Sequence, residues 1–123
     1  EVDKRMKDSG IRAFGVHPGG IMTPLQRHLE QEEMVALGWM DKDGQPTERV
    51  AKMFKTPTQG ASTSLWAATS PQLNDIGGVY CENCEVAAPT DDGENARFIG
   101  VNDWAVDSEE ASRLWDETER MLS

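Results

Sequence analysis

The chain has 123 residues and a mass of 13.6 kDa, room for one modest domain. Only 37% of its residues are hydrophobic, and no apolar run approaches the roughly 20 residues that span a bilayer, which argues against an integral membrane helix. Twelve Lys and Arg against 22 Asp and Glu leave a formal charge of -10, a field that repels phosphate backbones and anionic lipid and so argues against nucleic-acid or membrane-surface partners. Two cysteines cannot make a disulfide-dense scaffold, and no basic segment leads into an apolar one, so a cytoplasmic protein is expected.

Val2 and Met6, four apart among charged residues, read as a short helix stopped at Ser9-Gly10. No capping residue precedes it, so the chain reads as the C-terminal piece of something longer, or else as a small domain trimmed at its start. Ile11 to Val16 reads as a strand that must stop at His17-Pro18-Gly19-Gly20, where proline removes a ladder donor. Thr23-Pro24-Leu25-Gln26 and Thr56-Pro57-Thr58-Gln59 each place Thr at the N-cap, Pro at the first helical position and Gln at the third, a capping box. The first predicts a helix to about Leu37, ended by Gly38, followed by a surface turn at 41–44 and a short helix over 47–54. The second predicts a helix to about Thr69, rich in small residues, with Leu65 and Trp66 as its bulk and Ser70-Pro71 as its stop. Gly77 to Cys81 reads as a second strand, and the acidic stretch 89–95 as an exposed loop. Asp107 and Ser108 then cap a last helix, striped by Ala111, Leu114, Trp115, Thr118, Met121 and Leu122.

The strongest local signal for chemistry is His17-Pro18-Gly19-Gly20-Ile21-Met22-Thr23. A strand ending in Pro-Gly before a capped helix presents backbone N–H groups at the strand's carboxyl end, where open α/β sheets bind ligands. The Ile21 and Met22 amides with the Thr23 hydroxyl suit an amide or a phosphate; equally, Thr23 caps its helix and the glycines make the turn. Cys81-Glu82-Asn83-Cys84 is a lone pair of cysteines with no further ligands near in sequence, which favours burial over metal or redox work. His17 reads as a packing residue and His28 as a surface one. No metal site is expected, and the four tryptophans read as separate packing anchors.

Residues 10–25, and Pro18-Gly19-Gly20-Ile21-Met22-Thr23 above all, resemble the Pro-Gly-x-Ile/Val-x-Thr turn after the sixth strand of short-chain dehydrogenases/reductases. Lys55 to Ala61, Thr69 to Leu73 and Ile76 to Cys81 are similar in order to the closing helix and last strand of the retinol-dehydrogenase-like branch. The resemblance implies an α/β fold, namely the C-terminal portion of a Rossmann-type doubly wound parallel sheet. Residues 1–123 would be the C-terminal part of one such domain, with a substrate-binding lid at about 23–54. It implies NAD or NADP as cofactor, with Pro18, Gly19, Gly20, Ile21 and Thr23 as the cofactor-binding residues. Ile21 would contact the nicotinamide carboxamide through its backbone, and Thr23 would hydrogen-bond that group or the neighbouring phosphate. A small carbonyl or alcohol substrate is implied, as is a homo-oligomer formed through the small-residue helix and last strand.

The family's Tyr-x-x-x-Lys is absent, since Tyr80 is the only tyrosine and Cys84 stands where the Lys would be. The glycine-rich cofactor motif is absent as well: Gly15 and Gly19 have its first spacing, but Ile21 holds the third place. No catalytic residue is therefore expected within the chain. Two functional readings follow: a segment of an NAD(P)-dependent alcohol/carbonyl oxidoreductase, or a catalytically inactive interaction or dimerisation module.

Overall fold

The computed structural model describes residues 1–90 and 99–123, and most of the acidic loop expected at 89–95 lies outside them. The chain divides into two compact units, Glu1–His17 with Thr63–Ser123, and Pro18–Ser62.

The first unit is mixed α/β. Helix α1 (Val2–Met6) runs into a 3₁₀ turn and stops at Gly10, which takes the left-handed conformation (φ 77°). Strands β1 (Gly15–His17), β2 (Tyr80–Glu82) and β3 (Glu85–Val86) form one sheet in that order. β1 and β2 are parallel, with Gly15 opposite Tyr80 and His17 opposite Glu82, whereas β2 and β3 are antiparallel. The sheet of the described residues is thus small and mixed; the doubly wound parallel sheet implied by the resemblance is not contained in it.

Both strands differ from their predicted bounds for a hydrogen-bonding reason. Ile11 to Phe14 fall outside the ladder because Ala13 donates its N–H to Asp3 Oδ1 (3.0 Å) and accepts the Gly78 N–H at its carbonyl (2.8 Å). The second strand starts later than Gly77 and reverses at Asn83-Cys84, whose φ values of 50° and 60° make the two-residue hairpin turn that matches strand twist. β3 escaped sequence reading because neither turn residue is glycine.

Asp3 organises this unit. Its buried carboxylate accepts from Arg12 Nε (2.9 Å) as well as from Ala13, and Arg12 Nη1 reaches the Asn74 carbonyl (2.7 Å). Gly77 closes on the same carboxylate so tightly that a Cβ there would lie 2.1 Å from Asp3 Oδ1. The core beside it is small: Thr63 and Cys81 are fully buried, with Leu73, Ala67, Ala87 and Val101 around them.

Helix α5 (Ser108–Leu122) begins as its sequence predicts, with the Asp107 side chain accepting from the Glu109 and Glu110 amides (2.8 and 3.1 Å). Its apolar stripe is only partly used. Trp115 lies half-buried beneath the Arg5 guanidinium (4.9 Å to the ring centre), while Leu114, Met121 and Leu122 are 69–83% exposed. Trp104 is also exposed, which removes it from the expected set of packing anchors.

The second unit holds a 3₁₀ turn (Pro24–His28), α2 (Gln31–Ala36) and α3 (Glu48–Met53); α4 (Pro57–Thr69) starts within it. The single helix expected from Thr23 to Leu37 is two pieces, because Leu29 and Glu30 are extended. Glu30 starts a new capping box: Glu33 accepts its N–H at 2.9 Å and competes with continuation of the first turn. Gly38 ends α2 as predicted, in the left-handed conformation, with the Trp39 N–H returning to the Met34 carbonyl (2.9 Å). Thr47 caps α3, Thr56 and Gln59 form the full reciprocal box on α4, and Ser70 follows its last residue. Residues 23–54, expected as a lid, fall inside this unit. Among the described residues no helix is long and apolar enough to cross a membrane.

The Asp3 carboxyl is held below its ordinary value, first by the Arg12 hydrogen bond and then by the Ala13 amide, with burial opposing. A depressed folded value means that its contribution is complete above the ordinary carboxyl range and disappears as pH falls through the lower folded one. Urea unfolding followed from pH 6 to pH 2 is expected to show this loss, and Asp3→Ala is expected to flatten that part of the profile. Gly77→Ala is expected to destabilise by about 1–3 kcal/mol through overpacking against the carboxylate; an unchanged midpoint would refute that packing.

Candidate functional site

The Pro18–Thr23 segment lies in the second unit, directly after the last residue of β1 in the chain. Pro18 has no N–H to extend a ladder, and Gly19 turns the backbone with φ 89°, a value that L side chains rarely adopt. Beyond the turn the chain pairs again: the Gly20 carbonyl accepts the Lys55 N–H at 2.8 Å, and Ile21 bridges Lys55 in parallel fashion.

Three glycines let this pairing close. A Cβ at Gly20 would meet the Phe54 ring at 3.0 Å, and one at Gly19 would meet the Lys55 side chain at the same distance. A Cβ at Gly60, on α4, would fall 2.0 Å from Ile21 Cδ1, so the Ile21 side chain occupies the space that any other residue at 60 would fill. Phe54 is in turn met edge-on by Trp39 (5.7 Å between ring centres, 69°). The sequence marked Gly60 as a small residue that permits close approach; it did not say that the approaching group is Ile21.

Thr23 is the N-cap of the 3₁₀ turn, as its Thr-Pro-x-Gln pattern predicts. The Leu25 N–H donates to its Oγ1 (3.3 Å), and Gln26 Oε1 accepts both the Thr23 N–H (2.7 Å) and the Thr23 hydroxyl (3.1 Å). Gln26 does more than box the helix: its Nε2 donates to the Ile21 carbonyl at 3.0 Å. One amide side chain therefore ties the two residues expected to touch a ligand. Their remaining capacity is specific. The Ile21 carbonyl has a second lone pair for an incoming N–H, and the Thr23 hydroxyl can turn outward while the Thr23 N–H still serves Gln26.

The other candidates are placed elsewhere. His17 stacks on Tyr80 (6.5 Å, 16°), and its Nδ1 lies 3.9 Å from Glu82 Oε2. Glu82 is buried and accepts the Gly100 N–H at 2.6 Å. His28 is exposed, as expected. Cys81 is a buried free thiol pushed up in pKa by that burial, and the Cys84 amide donates to Thr63 Oγ1 (3.3 Å). Burial, with Glu82 beside it, also raises the Tyr80 phenol. Among the described residues no three His, Cys, Asp or Glu side chains gather in a metal-binding group.

The Gly60–Ile21 contact sets a double-mutant test. Gly60→Ala is expected to cost about 1–3 kcal/mol by overpacking, partly offset by roughly 1 kcal/mol of better helix propensity. Ile21→Val removes Cδ1, the nearer of the two clashing atoms, and leaves Cγ1 at 2.9 Å, so the double variant should regain part of the loss in chemical denaturation. Additive losses would show that the two side chains do not share this space.

Comparison with known proteins shows similarity along nearly the whole chain. It is 42% identical over 113 residues, 92% of its length, to a probable oxidoreductase of Streptomyces lividans, of which it covers 37%. It is 34% identical over 123 residues to the short-chain dehydrogenase/reductase prx1 of Penicillium roqueforti, covering all of this chain and 34% of that protein. It is 30% identical over 116 residues to human retinol dehydrogenase 11, covering 94% of this chain and 29% of that protein. The chain thus spans about a third of the length of the curated relatives it matches. No protein-family model matches it. No solved structure matches it. The resemblance carried by Pro18 to Thr23 and by the later landmarks is borne out: over nearly its whole length this chain is similar to short-chain dehydrogenases/reductases and other oxidoreductases.

Proposed function

We propose that this chain is the part of an NAD(P)-dependent oxidoreductase that contacts the nicotinamide and covers the substrate, in an enzyme interconverting an alcohol and a carbonyl. The observation that carries the reading is the pre-set Ile21–Gln26–Thr23 arrangement on a turn whose sequence matches the family's. The nicotinamide, when bound, supplies or takes the hydride. The chain's own residues bind and orient. The second lone pair of the Ile21 carbonyl accepts the carboxamide N–H. The Thr23 hydroxyl donates to the carboxamide oxygen or to the adjacent phosphate. Gln26 holds both in place, so little ordering is left to be done on binding.

Residues 23–54 act as the substrate cover, and their Met, Leu and Trp content suits an apolar alcohol or carbonyl. The Rossmann-type doubly wound sheet belongs to the whole enzyme, to which this segment contributes the β1–β2 parallel pair. The Tyr-x-x-x-Lys that handles the substrate proton is not in this chain.

Amide chemical shifts of the ¹⁵N-labelled chain titrated with NADH and with NADPH test the reading. The shifts should cluster on Gly20, Ile21 and Thr23, and Thr23→Val should weaken binding by about three- to tenfold, the worth of one hydrogen bond. The isolated chain should leave the reduced nicotinamide unconsumed when aldehydes or ketones are added. Absence of shifts at those residues, or turnover by this chain alone, would contradict the proposal.

A further inference from the structure

Gly20 stands at the position that the Pro-Gly-x-Ile/Val-x-Thr pattern leaves open, and its backbone does not call for glycine. Gly19 beside it takes φ 89°, whereas Gly20 stays out of the left-handed region. What Gly20 lacks is space. A Cβ built there would lie 3.0, 3.1 and 3.6 Å from Phe54 Cε1, Cδ1 and Cζ, so one edge of the ring lies where a side chain of the turn would be.

The ring is itself held. The Phe54 N–H closes α3 on the Val50 carbonyl (2.8 Å), and the N–H of the next residue meets the Gly20 carbonyl at the same distance. Trp39 stands edge-on to Phe54 (5.7 Å between ring centres, 69°), a geometry that aromatic pairs favour. Both backbone groups of Trp39 are engaged: its N–H donates to the Met34 carbonyl on α2 (2.9 Å), and its carbonyl accepts the N–H of Thr47, the N-cap of α3 (3.0 Å). A chain of contacts thus runs from α2 and α3 through two rings to the backbone of the Pro18–Thr23 turn.

We propose that Phe54 is the positioning residue of this turn, through which residues 39–54 hold its backbone ready for the nicotinamide carboxamide. The inference rests on the cofactor reading of Pro18–Thr23 and adds its control. With the ring against Gly20, the Gly20–Ile21 peptide has one resting place, and the Ile21 carbonyl keeps the direction in which Gln26 Nε2 meets it (3.0 Å). A smaller side chain at 54 leaves Gly20 free to move, and binding must then order the turn as well as fill it. Trp39 acts one contact further out, by keeping the Phe54 ring in place.

NADH titrations of the ¹⁵N,¹³C-labelled wild type, Phe54→Leu, Phe54→Tyr and Trp39→Leu provide the test. Before any NADH is added, the Gly20 α-protons should be displaced by the Phe54 ring current, and Phe54→Leu should abolish that displacement and move the Gly20 and Ile21 amides. Phe54→Leu should weaken NADH by about three- to tenfold, and Phe54→Tyr should restore both the signals and the affinity. Trp39→Leu should weaken NADH by about two- to threefold and add little to Phe54→Leu, because both act through one ring. A folded Phe54→Leu with wild-type Gly20 and Ile21 amides, or a Phe54→Tyr that rescues neither readout, would overturn the proposal. Should Phe54→Leu fail to fold, Trp39→Leu decides: an unmoved Gly20 amide with unchanged NADH affinity overturns it. The two readings separate. A wild type that binds no NADH, while Phe54→Leu still moves the Gly20 and Ile21 amides, keeps Phe54 as the residue that positions the turn and removes the cofactor reading. Equal NADH binding by wild type and Phe54→Leu keeps the cofactor reading and removes Phe54.

Discussion

The short sheet depends on a carboxylate that is not part of it. Asp3 on α1 gathers Arg12, the Ala13 amide and the backbone at Gly77, and the Ala13 carbonyl then takes the Gly78 N–H. These bonds bring the start of β1 alongside the start of β2, so that Gly15 N–H can meet the Val79 carbonyl (2.9 Å) and the parallel register can follow. A parallel pair has no hairpin to set its register, and here residues 18–79 separate its two strands. A polar hub therefore does what a tight turn does in an antiparallel pair.

In the second unit the decisive feature is what three positions lack. Gly19, Gly20 and Gly60 each leave a space, and each space is filled by a side chain from elsewhere: Lys55, Phe54 and Ile21. The Pro18–Thr23 turn is held from outside by these neighbours and from inside by Gln26. Pre-organisation of this kind reduces the ordering cost of binding, and it explains how a segment with so little regular structure presents defined donors and acceptors.

Much of this was legible along the chain because its causes are local. The capping boxes at Thr23 and Thr56, the cap at Asp107, and the stops at Gly10 and Gly38 all involve residues within a few positions of each other, and each is found as read. The Pro18 to Thr23 turn and its family resemblance were legible for the same reason. The misreadings have equally local competitors: the Glu30–Glu33 box split one helix in two, and the Asn83-Cys84 turn made a hairpin without glycine. Leu65 reads as helix bulk, yet it is 64% exposed, while Thr63 beside it is fully buried.

By itself the sequence determined the helix ends, the position of the turn, the α/β class and the family likeness, since these follow from short-range hydrogen bonding, backbone restriction and a contiguous motif. Only the tertiary structure decided which groups meet: that Asp3 receives Arg12 and Gly77, that Ile21 occupies the missing side chain of Gly60, that Gln26 reaches past its cap to the Ile21 carbonyl, and that Lys55 lies on Gly19. The physical reason is distance along the chain. Contacts between residues far apart in sequence leave no periodicity or spacing to read, and a glycine's empty face names its occupant only once the chain has folded.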